Sequence, residues 1–185
     1  MSRWTLSGEV KKALVFPLLV AVASLLAGLY GIVHDQLTYT IAPEYYTKFK
    51  FPMFHLADSP LPDRVRAMVV GFLATWWMGV LIGLTVGLAG FMQRDWRRML
   101  VVTLQAYGVV VLVTAGVGLL GLGYGYYQTG TIDRGAYGYW FIPRDVVDLR
   151  SYLCVGYMHN ASYLGGLIAI LAGMAYQVVA RVRSR

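Results

Sequence analysis

Charged residues and cysteine are scarce in this 185-residue sequence. Asp, Glu, Lys and Arg make up 14% of it, against roughly 25% in a soluble domain. Cys154 is the only cysteine, which excludes an intramolecular disulfide framework and a cysteine-rich zinc module. Because 58% of the residues are apolar, the chain also differs from a disordered protein, which has low hydrophobicity and high charge.

Catalytic sequence motifs are absent as well. The sequence has no HExxH motif, no ExxH repeat, no P-loop and no dinucleotide-binding fingerprint, and no serine, cysteine or lysine stands in a nucleophile motif. Histidine and carboxylate side chains can still carry out acid–base chemistry. The sequence therefore leaves the question of enzymatic activity open and indicates no particular reaction.

Long runs without charge are abundant. Four stretches lack Asp, Glu, Lys and Arg, at 13–33, 67–93, 99–132 and 151–180. About 20 apolar helical residues cross a hydrocarbon core roughly 30 Å thick, and lipid leaves the backbone no hydrogen-bond partner outside its own segment. The pattern predicts an all-α integral membrane four-helix bundle, one domain over residues 1–185, with spans at about 12–33, 66–92, 99–122 and 151–180.

A soluble bundle and a cleaved signal peptide both fit these runs less well than membrane spans do. A soluble bundle has helices with separate polar and apolar faces, whereas residues 68–74 and 109–122 are apolar on all sides. A cleaved signal peptide has an apolar region of about 7–15 residues, and the first run is longer. We therefore expect the first run to be a retained membrane anchor.

The net charge of +7 is unevenly distributed along the chain. The segments before the first run, between the second and third runs, and after the last run are strongly basic and contain Arg3, Lys11, Lys12, Arg94, Arg97, Arg98, Arg181, Arg183 and Arg185. The other two connections, the second of which contains Asp133, carry as many acidic as basic residues and so have no net charge. The positive-inside rule predicts cytoplasmic N- and C-termini and two structured outer loops, at about 34–65 and 123–150. Because the basic residues flank spans, we expect a lipid bilayer and no nucleic acid as partner.

Short structured pieces are predicted in the outer loops. Apolar residues and threonine alternate over 37–41, which favours an extended piece. Pro43 suits the first position of a short helix reaching about Lys50, with Glu44 in its first turn and with Tyr45 and Tyr46 at the membrane surface. Pro143 is predicted to start a helix that continues into the last span.

Glycines recur at helical spacing in the predicted spans. Gly79, Gly83 and Gly87 lie four residues apart in the second span, a spacing that lets helix backbones approach closely. Internal packing of the bundle is the favoured interpretation. The alternative is a contact face for a partner membrane subunit or for a second copy of the chain in a homo-oligomer.

Two of the three histidines lie at matching depths. His34 is 22 residues after Lys12 and His159 is 22 residues before Arg181, so each lies about 33 Å along a helix from a cytoplasmic basic residue. Tyr30 is one turn from His34, and Tyr163 is one turn from His159, on the same helix faces. We expect the two faces to meet near the outer membrane boundary if the first and last helices are neighbours.

Histidine and carboxylate are suitable ligands for a first-row transition metal. The sequence predicts an outward-facing polar pocket with metal ligands at His34, His159, Asp35 and Glu44, and with ligand-binding residues at Asn160, Tyr163 and Tyr30. A haem held between the two histidines is a less favoured cofactor. Two alternatives remain open, namely a small-ligand or proton site and a purely structural role in capping and linking helices.

Four segments resemble a pattern in small uncharacterised bacterial membrane proteins. They are HDQ at 34–36, TY at 38–39, PEYYTKFKF at 43–51 and MHNASYLGG at 158–166. The resemblance implies the same four-span layout and a location in the bacterial inner (plasma) membrane. It implies no activity or substrate.

Three functions are compatible with this sequence. The first is a membrane protein whose outer pocket binds a metal ion or a small polar ligand, and the second is a non-catalytic subunit or scaffold of a membrane complex. The third is a small oligomeric transporter or channel. The sequence lacks the mid-membrane charges and paired broken helices typical of secondary transporters, which favours the first two.

Overall fold

Four long helices form the frame of the protein in a computed structural model that describes residues 7–131 and 134–184. They are α1 (Gly8–Ile41), α2 (Asp63–Ala89), α3 (Trp96–Gln128) and α4 (Leu149–Val182). Each is long and apolar enough to cross a membrane, and the described part of the chain contains no strand. The all-α four-helix membrane bundle is confirmed. Arg3, Asp133 and Arg185, which contribute to the charge pattern, lie outside the described residues.

Side-chain caps define where three of the four helices begin. Ser7 accepts a hydrogen bond from the Val10 N–H at the start of α1, and Asp148 accepts one from the Ser151 N–H at the start of α4. Asp95 accepts from the backbone N–H groups of Arg98 and Arg97, and these bonds lower its pKa. Such caps satisfy N–H groups that have no partner inside the helix.

The prediction of an extended piece over residues 37–41 is wrong, because α1 continues to Ile41. Threonine is compatible with a helix here, since the Thr38 and Thr40 hydroxyls donate to the carbonyls of His34 and Gln36, four residues earlier. The helix ends at Ala42, whose φ of −141° and ψ of 83° are not helical. Proline disfavours the α conformation in the residue before it, so Pro43 sets this boundary.

A helical segment between α1 and α2 covers the end of the bundle that lies opposite the chain termini. It runs from Pro43 to Met53, with α-helical turns at Pro43–Tyr45 and Phe51–Met53 and a π-helical turn at Tyr46–Lys50 between them. The short helix expected from Pro43 to about Lys50 is therefore present and extends to Met53. We call residues 43–53 the covering segment.

The prediction of a helix that starts at Pro143 is wrong. Residues 144–145 form a turn, and α4 begins only at Leu149, after the Asp148 cap. The N–H groups of Val147 and Asp148 donate to the Glu44 carboxylate of the covering segment. This tertiary contact holds the backbone before Asp148 outside the helix.

Glycine brings α1 and α2 into close contact. A Cβ added to Gly31 would collide with the carbonyl oxygen of Gly71, and a Cβ added to Gly71 would collide with that of Gly31. Further along α2, Gly79 and Gly83 lie against the α1 backbone at Ala23 and Val20. The Gly79 and Gly83 positions therefore serve internal packing.

The α3 and α4 helices form a second close pair. Gly125 lies against the Cα of Cys154, and a Cβ on Gly121 would collide with Ala161. Helices within the α1–α2 pair and within the α3–α4 pair contact each other more extensively than helices of different pairs. The bundle therefore consists of two tightly packed pairs with a looser boundary between them.

We expect Gly71→Ala to destabilise the protein, because its Cβ would meet a backbone carbonyl that cannot move away alone. Overpacking of this kind typically costs about 1–3 kcal/mol. The measurement is the unfolding midpoint in mixed micelles with an increasing fraction of dodecyl sulfate. Gly116→Ala is the matched control, since Gly116 has no neighbouring atom within 4 Å of an added Cβ. Equal midpoints for the two variants would contradict the close α1–α2 contact.

Candidate metal centre

Three buried side chains meet at the boundary between the helix pairs, at the end of the bundle opposite the chain termini. His34 and Asp35 come from α1 and His159 comes from α4, with exposed fractions of 7%, 3% and 6%. Asp35 Oδ1 lies 3.0 Å from His34 Nδ1 and 3.3 Å from His159 Nε2. One ligand atom from each residue lies within 4.8 Å of the others, so the three can hold a metal ion. We call these three residues the centre.

Small residues on the neighbouring helices make room for these side chains. An added Cβ on Gly71 of α2 would stand 3.0 Å from the Cβ of Asp35, and one on Gly118 of α3 would collide with the Ser162 hydroxyl. Ser162 Oγ in turn lies 3.1 Å from His34 Nε2. Gly71 therefore leaves room for the Asp35 side chain, and Gly118 leaves room for Ser162, which is the hydrogen-bond partner of His34.

A chain of hydrogen bonds runs from Tyr30 to Asp35. The Tyr30 hydroxyl donates to Ser162 Oγ over 3.4 Å, and Ser162 then donates to His34 Nε2 over 3.1 Å. With Nε2 as acceptor, His34 carries its proton on Nδ1 and donates to Asp35 Oδ1 over 3.0 Å. This assignment gives every bond in the chain one donor and one acceptor.

His159 carries its proton on the same ring nitrogen as His34 but directs the other nitrogen, Nε2, at Asp35 Oδ1, so that two acceptors face each other. Its Nδ1 lies 3.0 Å from the Val155 carbonyl oxygen, which only accepts, so Nδ1 carries the proton and Nε2 is a bare acceptor in the neutral ring. His159 Nε2 and Asp35 Oδ2 are buried and have no hydrogen-bond partner among the described residues. Buried acceptors without partners are costly, so a proton or a cation between them would stabilise the centre.

The covering segment closes the centre from the outside. The Tyr45 ring lies 5.0 Å and the Tyr46 ring 6.3 Å from the ring of His159, centroid to centroid. The Tyr46 hydroxyl bonds to Thr38 Oγ1, and burial raises the pKa of both tyrosines. Tyr45 and Tyr46 are therefore buried against the centre.

Lys50 is a buried cation that no sequence pattern connects with the histidines. Its side chain is 7% exposed, and its ammonium lies 5.8 Å and 5.6 Å from the ring centroids of Tyr45 and Phe49. Burial lowers the pKa of Lys50, and the Asp35 carboxylate acts in the opposite direction. The Tyr45 ring therefore lies between the Lys50 ammonium and the ring of His159 as a shared neighbour.

The structure places Glu44 away from the cluster formed by the other three expected metal ligands. Its carboxylate accepts from the N–H groups of Val147 at 3.1 Å and Asp148 at 2.8 Å and pairs with Lys48. The pair with Lys48, followed by these backbone bonds, lowers the pKa of Glu44. Glu44 thus fastens the covering segment to the chain before α4, because unpaired N–H groups there attract the carboxylate.

The expected ligand-binding residues divide into two groups. Tyr30 lies beside His34, with ring centroids 5.8 Å apart. Tyr163 lines a cavity that begins at the centre and continues between the helices toward the end of the bundle with the chain termini. Asn160 is exposed and is not among the residues that line this cavity. One position on α4 rotates a side chain by about 100°, so Asn160 faces away although it directly follows His159.

The arrangement of the two imidazoles does not suit a haem. Their ring centroids lie 4.6 Å apart and the rings meet edge to face at 89°. A haem with two axial histidines needs the porphyrin plane between the rings, and rings in direct contact leave no such space. A single metal ion requires only that the ligand atoms surround one point.

A cavity of about 70 Å³ extends below the centre and is lined by residues from all four long helices. His34, Asp35 and His159 form part of its lining. Comparison of the chain with protein-family profiles, with curated proteins and with solved structures found no match. The chemistry of the centre and its cavity is therefore the basis for a functional conclusion.

We expect Glu44→Gln to weaken the attachment of the covering segment at neutral pH. Hydrogen bonds to a charged group contribute about 1.5–3 kcal/mol. Because the folded-state pKa of Glu44 is lowered, its contribution is present above the ordinary carboxyl pKa of about 4.3 and is lost as the pH falls through the lowered value. The difference in unfolding midpoint between wild type and variant should therefore shrink in acid.

The control for this pH series is Asp58→Asn, because Asp58 is exposed and forms no ion pair with another described residue. We expect its midpoint to follow that of the wild type at each pH. A Glu44→Gln difference that stayed constant down to pH 3 would contradict a contribution from the ionised carboxylate.

Proposed function

We propose that the protein is an integral membrane protein that binds a first-row transition-metal ion through His34, Asp35 and His159. The observation that carries the proposal is the juxtaposition of two acceptors, His159 Nε2 and Asp35 Oδ1, 3.3 Å apart in a buried site. A metal ion bound by both would turn this unfavourable contact into two coordinate bonds. Two histidines and one carboxylate form a recognised ligand set for such ions.

The surroundings of His159 support this proposal. Metal-binding histidines usually donate their second N–H to a carbonyl or carboxylate, which orients the ring and sets the tautomer. The Nδ1–H of His159 makes such a bond to the Val155 carbonyl. Its Nε2 is thereby directed at Asp35 with its lone pair available for a metal.

His34 can join the ligand set by a change of tautomer. Coordination through Nδ1 requires that this atom release its proton, as metal binding generally does. The proton on His34 would then lie on Nε2, which would donate to Ser162 Oγ, 3.1 Å away. Three protein ligands leave a further coordination position for water or a substrate, as in catalytic metal sites.

We also propose that the centre faces the outer side of a bacterial inner membrane. The basic segments at the ends of the chain and between α2 and α3 support cytoplasmic termini by the positive-inside rule. His34 and Asp35 lie near the opposite end of α1, seven and six residues before its end at Ile41. The resemblance to small bacterial four-span proteins agrees with this location.

Metal analysis of the purified protein tests the proposed function. We expect wild-type protein in mild detergent, loaded with Zn²⁺, Fe²⁺ or Mn²⁺ and washed, to retain about one ion per chain. Asp35→Asn and His159→Ala should each lower the retained metal at least tenfold, because each removes one of the facing acceptors. Helical content and elution volume would verify that the variants remain folded.

His55→Asn is the matched control for the loss of a histidine. His55 is exposed and has a φ of 56°, and asparagine tolerates this left-handed conformation. This variant should retain metal like the wild type. No metal above background in wild-type protein, or equal metal in wild type and His159→Ala, would overturn the proposal.

We expect chelation to destabilise the wild type specifically. A ligand that binds only the folded state at 100 times its dissociation constant contributes about 2.7 kcal/mol. Removing the metal should therefore lower the unfolding midpoint of the wild type and leave that of Asp35→Asn unchanged. A chelator that shifted both midpoints equally would indicate an effect unrelated to this centre.

A further inference from the structure

The cavity that begins at the centre is small and largely apolar. Its volume is about 70 Å³, which exceeds the roughly 10–15 Å³ that a single water needs and is smaller than a cavity of about 150 Å³ that binds benzene or xenon. The apolar residues that line it come from all four long helices and include Leu26, Ala74, Met78, Val110 and Gly166. The cavity therefore suits an occupant of a few atoms.

The hydroxyl groups that line the cavity away from the centre are already engaged. Those of Thr75, Tyr107, Thr114 and Tyr163 each donate to a backbone carbonyl. Among the described lining residues, the buried polar atoms without a partner are Asp35 Oδ2 and His159 Nε2, and both belong to the centre. Because apolar cavities remain dry, water is a poor occupant of the rest of this space, and a small apolar molecule is a better one.

The free coordination position of a metal at the centre faces this cavity. His34, Asp35 and His159 all line it. Tyr45 and Tyr46 pack against His159 but are not among the lining residues, so they cover a different side of the centre. A metal ion would therefore have protein rings on that side and empty space on the cavity side.

The ligand for this position has to be small, apolar and able to bind a first-row metal. Diatomic gases such as dioxygen have all three properties, and they carry no charge that burial would penalise. Two histidines and one carboxylate with open positions are the ligand set of non-haem iron(II) sites that react with dioxygen. Zn²⁺ has no redox chemistry, so this ligand favours Fe²⁺ as the bound ion.

We propose that the cavity is a binding site for a small apolar gas, namely dioxygen, which binds from there to Fe²⁺ at the centre. Binding forms one bond between the gas and the iron as a water ligand leaves, and it breaks no covalent bond. The inference rests on the proposed metal site for this bond, whereas the preference of the cavity for a small apolar molecule is independent of metal. A molecule of this size needs no permanent opening, because local opening motions of packed helices admit it.

Gly166→Val is designed to fill the cavity without changing a metal ligand. Gly166 lines the cavity, and an added Cβ would stand 3.7 Å from Met78 Cγ, an ordinary contact. Gly116→Val is the matched control, because Gly116 of α3 is exposed and nothing lies within 4 Å of its added Cβ. Ala27→Val narrows the same cavity from α1 and serves as the second variant. Helical content and elution volume would verify that the variants remain folded.

Xenon is the probe for the cavity itself, because it is apolar, uncharged and needs no metal. We expect crystals of the metal-free protein under xenon pressure to show xenon in the cavity of the wild type and of Gly116→Val. Its occupancy should be at least fivefold lower in Gly166→Val and in Ala27→Val. A cavity without xenon in the wild type, or equal occupancy in all variants, would overturn the proposal.

Nitric oxide is the probe for a gas bound to the metal, because it binds iron(II) and gives a characteristic EPR signal. Protein loaded with Fe²⁺ is titrated with nitric oxide in the absence of air. We expect equal affinity in the wild type and Gly116→Val, and at least tenfold weaker binding in Gly166→Val at unchanged iron content. Equal affinity in Gly166→Val and Gly116→Val would overturn the proposal even if iron is bound.

Iron content, measured on the same samples, makes the two proposals fail in different ways. Iron that is retained and gives no signal with nitric oxide would overturn the gas site and support the metal centre. Xenon in the cavity of a protein that retains no metal would support the gas site and overturn the metal centre.

Discussion

Asp35 of α1 and His159 of α4 face each other across the boundary between the two helix pairs, with acceptor atoms 3.3 Å apart. Each pair is held internally by close backbone contacts at glycine, whereas contact between the pairs is looser. Other polar contacts also join the two pairs, such as those of Tyr107 with Leu19 and of Tyr163 with Ala74, but the contact between Asp35 and His159 contains buried acceptors without a hydrogen-bond partner. Its energy depends on what lies between the acceptors, because the lone pair of His159 Nε2 and the Asp35 carboxylate repel each other in a buried site, whereas a shared cation binds both.

The hydroxyl groups in the rest of the interior contrast with the acceptors of this site. Threonine and tyrosine hydroxyls in the bundle donate to backbone carbonyls, for example Thr75 to Ala27, Tyr107 to Leu19 and Tyr163 to Ala74. Such bonds satisfy polar groups where lipid provides no partner. The covering segment follows the same rule, since Glu44 satisfies two N–H groups before α4. Asp35 Oδ2 and His159 Nε2 depart from the pattern at the end of a cavity that reaches into the apolar interior.

Some local features could not be predicted from the sequence because they depend on contacts distant in the chain. The 37–41 segment has an alternating pattern that fits a strand, yet its threonines bond within a continuing helix. Pro143 suits a helix start, but Glu44 captures the backbone that would have formed it. Lys50 looks like a surface cation beside Lys48, and only the packing of Tyr45 and Phe49 shows that it is buried.

The sequence by itself determined the four helices and the shared depth of His34 and His159. Hydropathy and helical rise are local properties that can be counted along the chain. Only the tertiary structure decided that α1 packs on α2 and α3 on α4, that Asp35 joins the histidines, and that Glu44 and Asn160 do not. These choices depend on whether backbones fit together at sites such as Gly31 and Gly71 and on the direction in which each side chain leaves its helix. Shape complementarity between distant segments is not encoded in any one residue's hydropathy.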